Sequence, residues 1–133
     1  MSLDKITLRF TGGWGLMSPL VSWYTKSPYT HVDIVFPAGY FSSMPFKGVK
    51  VFDKDYIKPK EVKFVDVRCD RDIVMSLLKA NSGAKYDWFA WLYHITGINV
   101  RRQKCWTCAG LFASVLNIGD RNTTPAQLYK RLQ

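Results

Sequence analysis

Cys108 is the residue of this 133-residue chain best placed to act as a nucleophile. Thr107 is a typical N-cap and an apolar run follows, so the pattern predicts Cys108 at the first position of a helix. Unpaired N–H groups and the helix dipole at that position stabilise a thiolate and lower a cysteine pKa from about 8.5 towards neutrality. The alternative interpretation is a small, inert side chain buried at the start of a core helix.

His31 and Asp33 are a second group of residues that could take part in catalysis. Residues 29–36 are β-branched and aromatic, which predicts a strand, and strand alternation places the imidazole and the carboxylate on one face. A cysteine hydrolase needs a thiolate, a histidine within hydrogen-bond reach and a third polar group that orients the imidazole. Cys108, His31 and Asp33 could supply all three. The alternative is an ordinary half-exposed strand histidine.

Two other interpretations of the cysteines lead to different chemistry. Cys105 and Cys108 form a C-x-x-C pair that could be a dithiol redox site, although no thioredoxin-like strand, helix and strand context is predicted before it. Zinc would need four ligands at suitable spacing, but beside this pair the sequence offers only His94 or Cys69 and no second C-x-x-C. We therefore expect no metal.

A cationic cluster precedes the cysteine helix and consists of Arg101, Arg102 and Lys104 with the aromatic Trp106. Such a cluster could stack on and bind nucleic acid, but no recognised nucleic-acid motif accompanies it. We expect a rim that holds an anionic substrate beside Cys108, with a merely solvated loop as the alternative. A non-catalytic module that binds an anionic ligand is a further possibility.

Composition indicates a single folded domain over residues 1–133. Apolar residues make up 47% of the chain and aromatic residues 15%, which is enough to bury a core without disulfides or metal. Lys and Arg outnumber Asp and Glu by 19 to 10, and the net charge of +9 favours anionic partners. Three cysteines, an odd number, argue against a disulfide framework and fit a reducing compartment.

No segment of the sequence has the pattern of a signal peptide or a membrane span. The longest uninterrupted apolar run, residues 88–93, is far shorter than the roughly 18 residues of a transmembrane helix. We therefore expect a protein that has no secretion signal and is located in the cytoplasm. We also expect it to be a monomer.

The predicted elements segregate along the chain, strands mostly first and helices mostly after. This order indicates an α+β fold in which an antiparallel sheet or small barrel packs against helices. The predicted strands are 5–10, 29–36, 40–43, 49–52 and 62–67, and the predicted helices are 19–25, 71–80, 86–95, 108–116 and 125–132.

Two segments taken together resemble the circularly permuted branch of the NlpC/P60 papain-like family. They are Tyr29-Thr30-His31-Val32-Asp33-Ile34-Val35-Phe36 and Trp106-Thr107-Cys108-Ala109-Gly110-Leu111. In that branch the histidine strand comes before the cysteine helix, the reverse of the order in unpermuted members. Weaker similarities extend over residues 13–25, 42–49, 83–88 and 124–128, so the resemblance spans nearly the whole chain. Some similar sequences are encoded by bacteriophages, which makes a phage or virion association a second expected location.

The resemblance implies a permuted papain-like fold in which Cys108 is the nucleophile and His31 the general base and later the acid. The third polar group would be Asp33, as in phage-type members, or Ser42 or Ser43 from the next strand. We favour Asp33 because the strand pleat aims it along the same face as His31.

Two aromatic residues near the cysteine are candidate substrate or oxyanion contacts. Tyr86 is similar to a tyrosine that precedes the cysteine in relatives, although a packed aromatic at a helix start is the alternative. Trp106 lies two positions before Cys108.

The activity implied by the resemblance is cleavage of an amide bond in a bacterial cell-wall peptide, through a Cys108 thioacyl intermediate and without a cofactor. Within the same family, a lipid amidase, thioesterase or acyltransferase is the alternative. The dithiol redox protein and the non-catalytic binding module remain alternatives of other classes.

Overall fold

The computed structural model describes residues 4–13, 27–44, 46–87, 90, 96–98 and 105–132. Five of the described strands form one open antiparallel sheet in the order β4-β3-β2-β1-β5, so β4 and β5 are its edges. These strands are β1 Asp4–Gly12, β2 His31–Phe36, β3 Gly39–Met44, β4 Gly48–Phe52 and β5 Glu61–Cys69.

Three helices are described after this sheet, which confirms the coarse α+β prediction. Two very short strands, β6 and β7, pair in parallel just before the cysteine helix. The remaining elements are α1 Arg71–Ala80, β6 Lys85–Tyr86, β7 Cys105–Trp106, α2 Cys108–Val115 and α3 Pro125–Arg131. Within the described residues, no helix is both long and apolar enough to cross a bilayer.

The core lies between one face of the sheet and α2. Alternate residues of β1 and β2 point to this face, which is why the strand pattern of period two predicts them correctly. On α2 nearly every side chain from Cys108 to Ala113 is buried, because this helix packs over the centre of the sheet. The residues buried at this interface include Ile6, Leu8, Phe10, Val32, Ile34, Phe41, Leu111 and Phe112.

The opposite face of the sheet carries polar side chains at its centre. The register of β1 with β2 places Arg9 opposite Asp33 and Thr11 opposite His31. Because directly opposed residues of antiparallel strands share a face, the two strands bring a guanidinium, a carboxylate and an imidazole together. Pairing of β2 with β3 is described only from Ile34 onwards.

Capping and one glycine fix the start of α2. Thr107 is extended and its hydroxyl accepts a hydrogen bond from the Gly110 N–H at 3.0 Å, as predicted for the N-cap. A Cβ on Gly110 would collide with the carbonyl oxygen of Arg121, so this position needs a residue without a side chain. Gly110 therefore lets the chain at Arg121 pass close behind the first turn.

One predicted helix begins in the wrong place. Tyr86 was expected to open a helix over residues 86–95, but it lies in β6 and pairs with Trp106 of β7. Tertiary pairing overrides the local helical preference there. Most of the remaining segment lies outside the described residues, as do the predicted helix 19–25 and the cationic positions 101, 102 and 104.

Replacing Gly110 with alanine should destabilise the protein, although alanine is normally the better helix former. The expected loss is about 1–3 kcal/mol of unfolding free energy, because the new methyl group overpacks against backbone. Urea denaturation measures it, and Ser76→Ala at an exposed site of α1 is the control, which should be close to neutral. A stabilised Gly110→Ala variant would show that the close approach is absent.

Candidate active site

His31 stands at the start of β2 with only 5% of its surface exposed. Its Nε2 lies 2.8 Å from the Tyr56 hydroxyl and 3.2 Å from the Ser42 hydroxyl. Tyr56 comes from the loop between β4 and β5, whereas Ser42 belongs to β3. The imidazole is thus held at one nitrogen by two hydroxyl groups from different parts of the chain.

Asp33 is completely buried and paired with a buried arginine. Arg9 donates from Nε to Oδ1 at 3.0 Å and from Nη2 to Oδ2 at 2.8 Å, which is a bidentate arrangement. The Tyr56 hydroxyl donates to the same Oδ2 at 2.7 Å. Both carboxylate oxygens are therefore satisfied, as a buried charge requires.

Asp33 reaches His31 through Tyr56. The distance from Asp33 Oδ2 to His31 Nε2 is 3.8 Å, too long for a direct hydrogen bond. The hydrogen-bonded path instead runs from the carboxylate to the Tyr56 hydroxyl and from there to the imidazole. The structure places Asp33 on the predicted face. The sequence suggested direct contact with the imidazole, but the Tyr56 hydroxyl lies between the two groups.

Aromatic rings cover the guanidinium of Arg9. Its central carbon lies 3.5 Å from the centroid of the Tyr40 ring, close enough for a cation–π interaction. Burial alone would lower the pKa of Arg9, but the hydrogen bonds and charge of Asp33 outweigh it and raise that pKa. Burial likewise raises the pKa of Asp33, against the opposing effects of Arg9 and Tyr56.

Cys108 is the first residue of α2, as predicted, and only 6% of its surface is exposed. Backbone N–H groups of Val32 and Ala109 lie close enough to its sulfur to act on the thiol and lower its pKa. The sulfur therefore lies against the residue that directly follows His31 in the chain. Cys108 is thus placed beside the backbone of β2 next to His31, although the two residues are far apart in sequence.

The expected lowering of the Cys108 pKa is wrong. Burial raises the pKa of this thiol to about 11, and the N–H groups that act in the opposite direction do not compensate. Burial, followed by the positive charge of Arg9, lowers the pKa of His31 to about 3. Near neutral pH the pair therefore rests as an uncharged thiol and an uncharged imidazole.

The other predicted site residues mainly hold the segment that leads to Cys108. The Ser43 hydroxyl donates to the Trp106 carbonyl oxygen and ties β3 to β7. The Trp106 indole donates to Asn81 Oδ1 at 2.9 Å, and the Arg121 guanidinium lies 4.8 Å from its ring. Tyr86 lies beside Trp106 in the parallel pair. Of the two serines, only Ser42 contacts the imidazole.

Arg9 and Tyr56 were not predicted as site residues. Arg9 could have been found, because it occupies the polar face of a predicted strand and needs only the correct antiparallel register to meet Asp33. Tyr56 lies in an irregular loop where no hydrophobic period operates. No sequence pattern indicates its contact with His31.

The geometry around Cys105 does not favour a dithiol redox site. Cys105 and Trp106 form β7 and Thr107 is also extended, so three extended residues separate the two cysteine Cα atoms by about 10 Å. A disulfide needs Cα atoms within about 7 Å. All three cysteines are thiols. Among the described side chains, no group of three or more His, Cys, Asp or Glu could hold a metal ion.

Comparisons with protein-family models, curated proteins and solved structures found no match for this chain. The permuted NlpC/P60 assignment therefore stays a prediction.

Replacing Asp33 with asparagine should strongly destabilise the fold. The variant leaves the buried Arg9 guanidinium without a counter-charge, which we expect to cost about 3–5 kcal/mol of unfolding free energy. Urea denaturation compares it with Asp66→Asn, which removes the exposed Lys5–Asp66 ion pair and should leave stability nearly unchanged. Equal effects of the two variants would contradict a buried pair at Asp33.

Proposed function

We propose that this protein is a cysteine hydrolase of permuted NlpC/P60 type, with Cys108 as the nucleophile and His31 as the general base and acid. The observation that supports the proposal is the position of the Cys108 sulfur. It lies at the N-terminus of α2 and beside the backbone N–H of Val32, the chain neighbour of His31. A thiol, a histidine and further polar groups that hold the imidazole are the requirements of cysteine catalysis.

The proposed reaction begins from the uncharged pair. The Cys108 thiol attacks the carbonyl carbon of the substrate while its proton passes to His31, so an S–C bond forms and an imidazolium results. The imidazolium then gives the proton to the leaving amine as the C–N bond breaks. Water, deprotonated by His31, attacks the thioester and releases the acid and the Cys108 thiol.

The first turn of α2 supplies candidate oxyanion donors. Backbone N–H groups of Cys108 and Ala109 lie near the sulfur, since both lower the pKa of the thiol. The Thr107 cap takes only the N–H of Gly110, so these two donors are not used by it. Such preorganised donors, near the positive end of a helix, stabilise the negative oxygen of a tetrahedral intermediate.

The proposed substrate is an amide bond in a bacterial cell-wall peptide. The family resemblance supports this choice, and the net charge of +9 suits an anionic wall polymer. A lipid amide or thioester is the second candidate, supported by exposed apolar side chains on the face that carries Asp33. Phe64 pairs with Arg9 across β1 and β5 and is 55% exposed, and Val62 pairs with Thr11.

Removing Cys108 or His31 should abolish turnover with little effect on folding. We expect Cys108→Ala and His31→Ala to lower the rate of muropeptide cleavage by about 10³-fold or more, because each residue takes part in the bond-making step. Mass spectrometry of digested cell-wall fragments measures the rate, and lipid amide and thioester substrates are assayed in parallel.

Cys105→Ser is the matched control for this experiment. Cys105 lies in β7 and takes no part in the proposed reaction, so its replacement should leave the rate nearly unchanged. An equal loss of activity in Cys105→Ser and Cys108→Ala would contradict the hydrolase proposal. Cleavage of the lipid amide or thioester but not of the wall peptide would show that the second candidate substrate is the correct one.

A further inference from the structure

We infer that Tyr56 is a positioning residue that, together with Ser42, holds His31 in the tautomer with its proton on Nε2, so that Nδ1 is the basic nitrogen. The tautomer follows from the hydrogen bonds around Nε2 in an uncharged ring. Its meaning for catalysis rests on the proposed function.

The hydroxyls of Tyr56 and Ser42 have no hydrogen to donate to His31. A hydroxyl group has one hydrogen and can donate only one ordinary hydrogen bond. The Tyr56 hydroxyl donates to Asp33 Oδ2 at 2.7 Å, and the Ser42 hydroxyl donates to the Val32 carbonyl oxygen at 2.8 Å. Both hydrogens are therefore committed away from His31.

The proton of the His31 imidazole is on Nε2. Because neither hydroxyl has a hydrogen left for Nε2, the proton must be on Nε2 itself. Its single hydrogen is donated to the nearer Tyr56 hydroxyl at 2.8 Å, and the Ser42 hydroxyl at 3.2 Å shares it as the weaker acceptor. A neutral imidazole carries one N–H, and the low pKa of His31 keeps the ring neutral. The lone pair that accepts a proton is then on Nδ1, which fixes the nitrogen that serves as base.

The Tyr56 hydroxyl must donate to Asp33 and cannot turn its hydrogen towards His31. An ionised carboxylate only accepts hydrogen bonds, and Asp33 is kept in the acceptor state by the bidentate contact with Arg9. The Tyr56 ring is stacked on Phe52 at 4.8 Å between centroids and 20° between planes. Burial raises the pKa of Tyr56, so its hydroxyl stays protonated. Ring and hydroxyl are both fixed.

A long-range proton–nitrogen NMR spectrum of uniformly ¹⁵N-labelled protein tests the inference directly and needs no substrate. The His31 signals are assigned by their loss in His31→Gln. We expect the wild-type ring to show a protonated Nε2 and an unprotonated Nδ1. A ring with its proton on Nδ1, or an even mixture of tautomers, would overturn the inference.

Variants then test whether Tyr56 is responsible. Tyr56→Phe keeps the stacked ring and removes one acceptor, so exchange of the Nε2 proton with water should accelerate about ten-fold. In Tyr56→Phe/Ser42→Ala both acceptors are lost, and the single tautomer should give way to a mixture. Tyr40→Phe removes a hydroxyl from the neighbouring ring over Arg9 and should leave both readouts unchanged.

The outcomes separate this inference from the proposed function. An unchanged single tautomer in the double variant would show that the two hydroxyls do not set it, whatever the turnover experiments give. Loss of turnover in His31→Ala with the proton on Nδ1 would support the hydrolase and overturn the inference. A protonated Nε2 in a protein without turnover would support the inference and count against the hydrolase.

Discussion

The buried carboxylate of Asp33 is the constraint on which the site depends. A charge that is fully removed from water must be neutralised and hydrogen-bonded, and here Arg9 and Tyr56 meet both requirements. Arg9 comes from the neighbouring strand, so the pair also fixes the register of β1 and β2 at this point. Tyr56 brings the following loop onto the sheet and extends the network to His31.

Burial also sets the charge state of Cys108 and His31, the proposed nucleophile and base. Both lie within the fold, and the loss of hydration disfavours the imidazolium of His31 and the thiolate of Cys108 alike. The helix N-terminus acts in the expected direction on Cys108, but its contribution is smaller than the cost of burial. A standing ion pair is therefore disfavoured, and in the proposed reaction the proton passes from Cys108 to His31 during attack.

Sequence patterns predicted the parts of the fold that local rules control. Alternation in residues 5–10 predicted β1, and the run of β-branched and aromatic residues over 29–36 predicted β2. The Thr107 cap placed Cys108 at the start of α2. Alternation also placed His31 and Asp33 on one face. The prediction that a helix starts at Tyr86 was wrong because a long-range strand pair forms there. The contact of Tyr56 with His31 was not predicted because Tyr56 lies in a loop without a periodic pattern. Burial of the cysteine likewise emerges only from the packing of α2 on the sheet.

The pH dependence of iodoacetamide alkylation at Cys108, followed by mass spectrometry, tests the central claim most directly. Cys105 is partly exposed and serves as the comparison within the same sample. With a pKa raised to about 11, Cys108 should react more slowly than Cys105 at pH 7. Its rate should also rise about ten-fold per pH unit up to about pH 10, as its thiolate fraction does. Rapid alkylation of Cys108 that is independent of pH between about 5 and 8 would contradict the account, because it would reveal a preformed thiolate beside a charged imidazole.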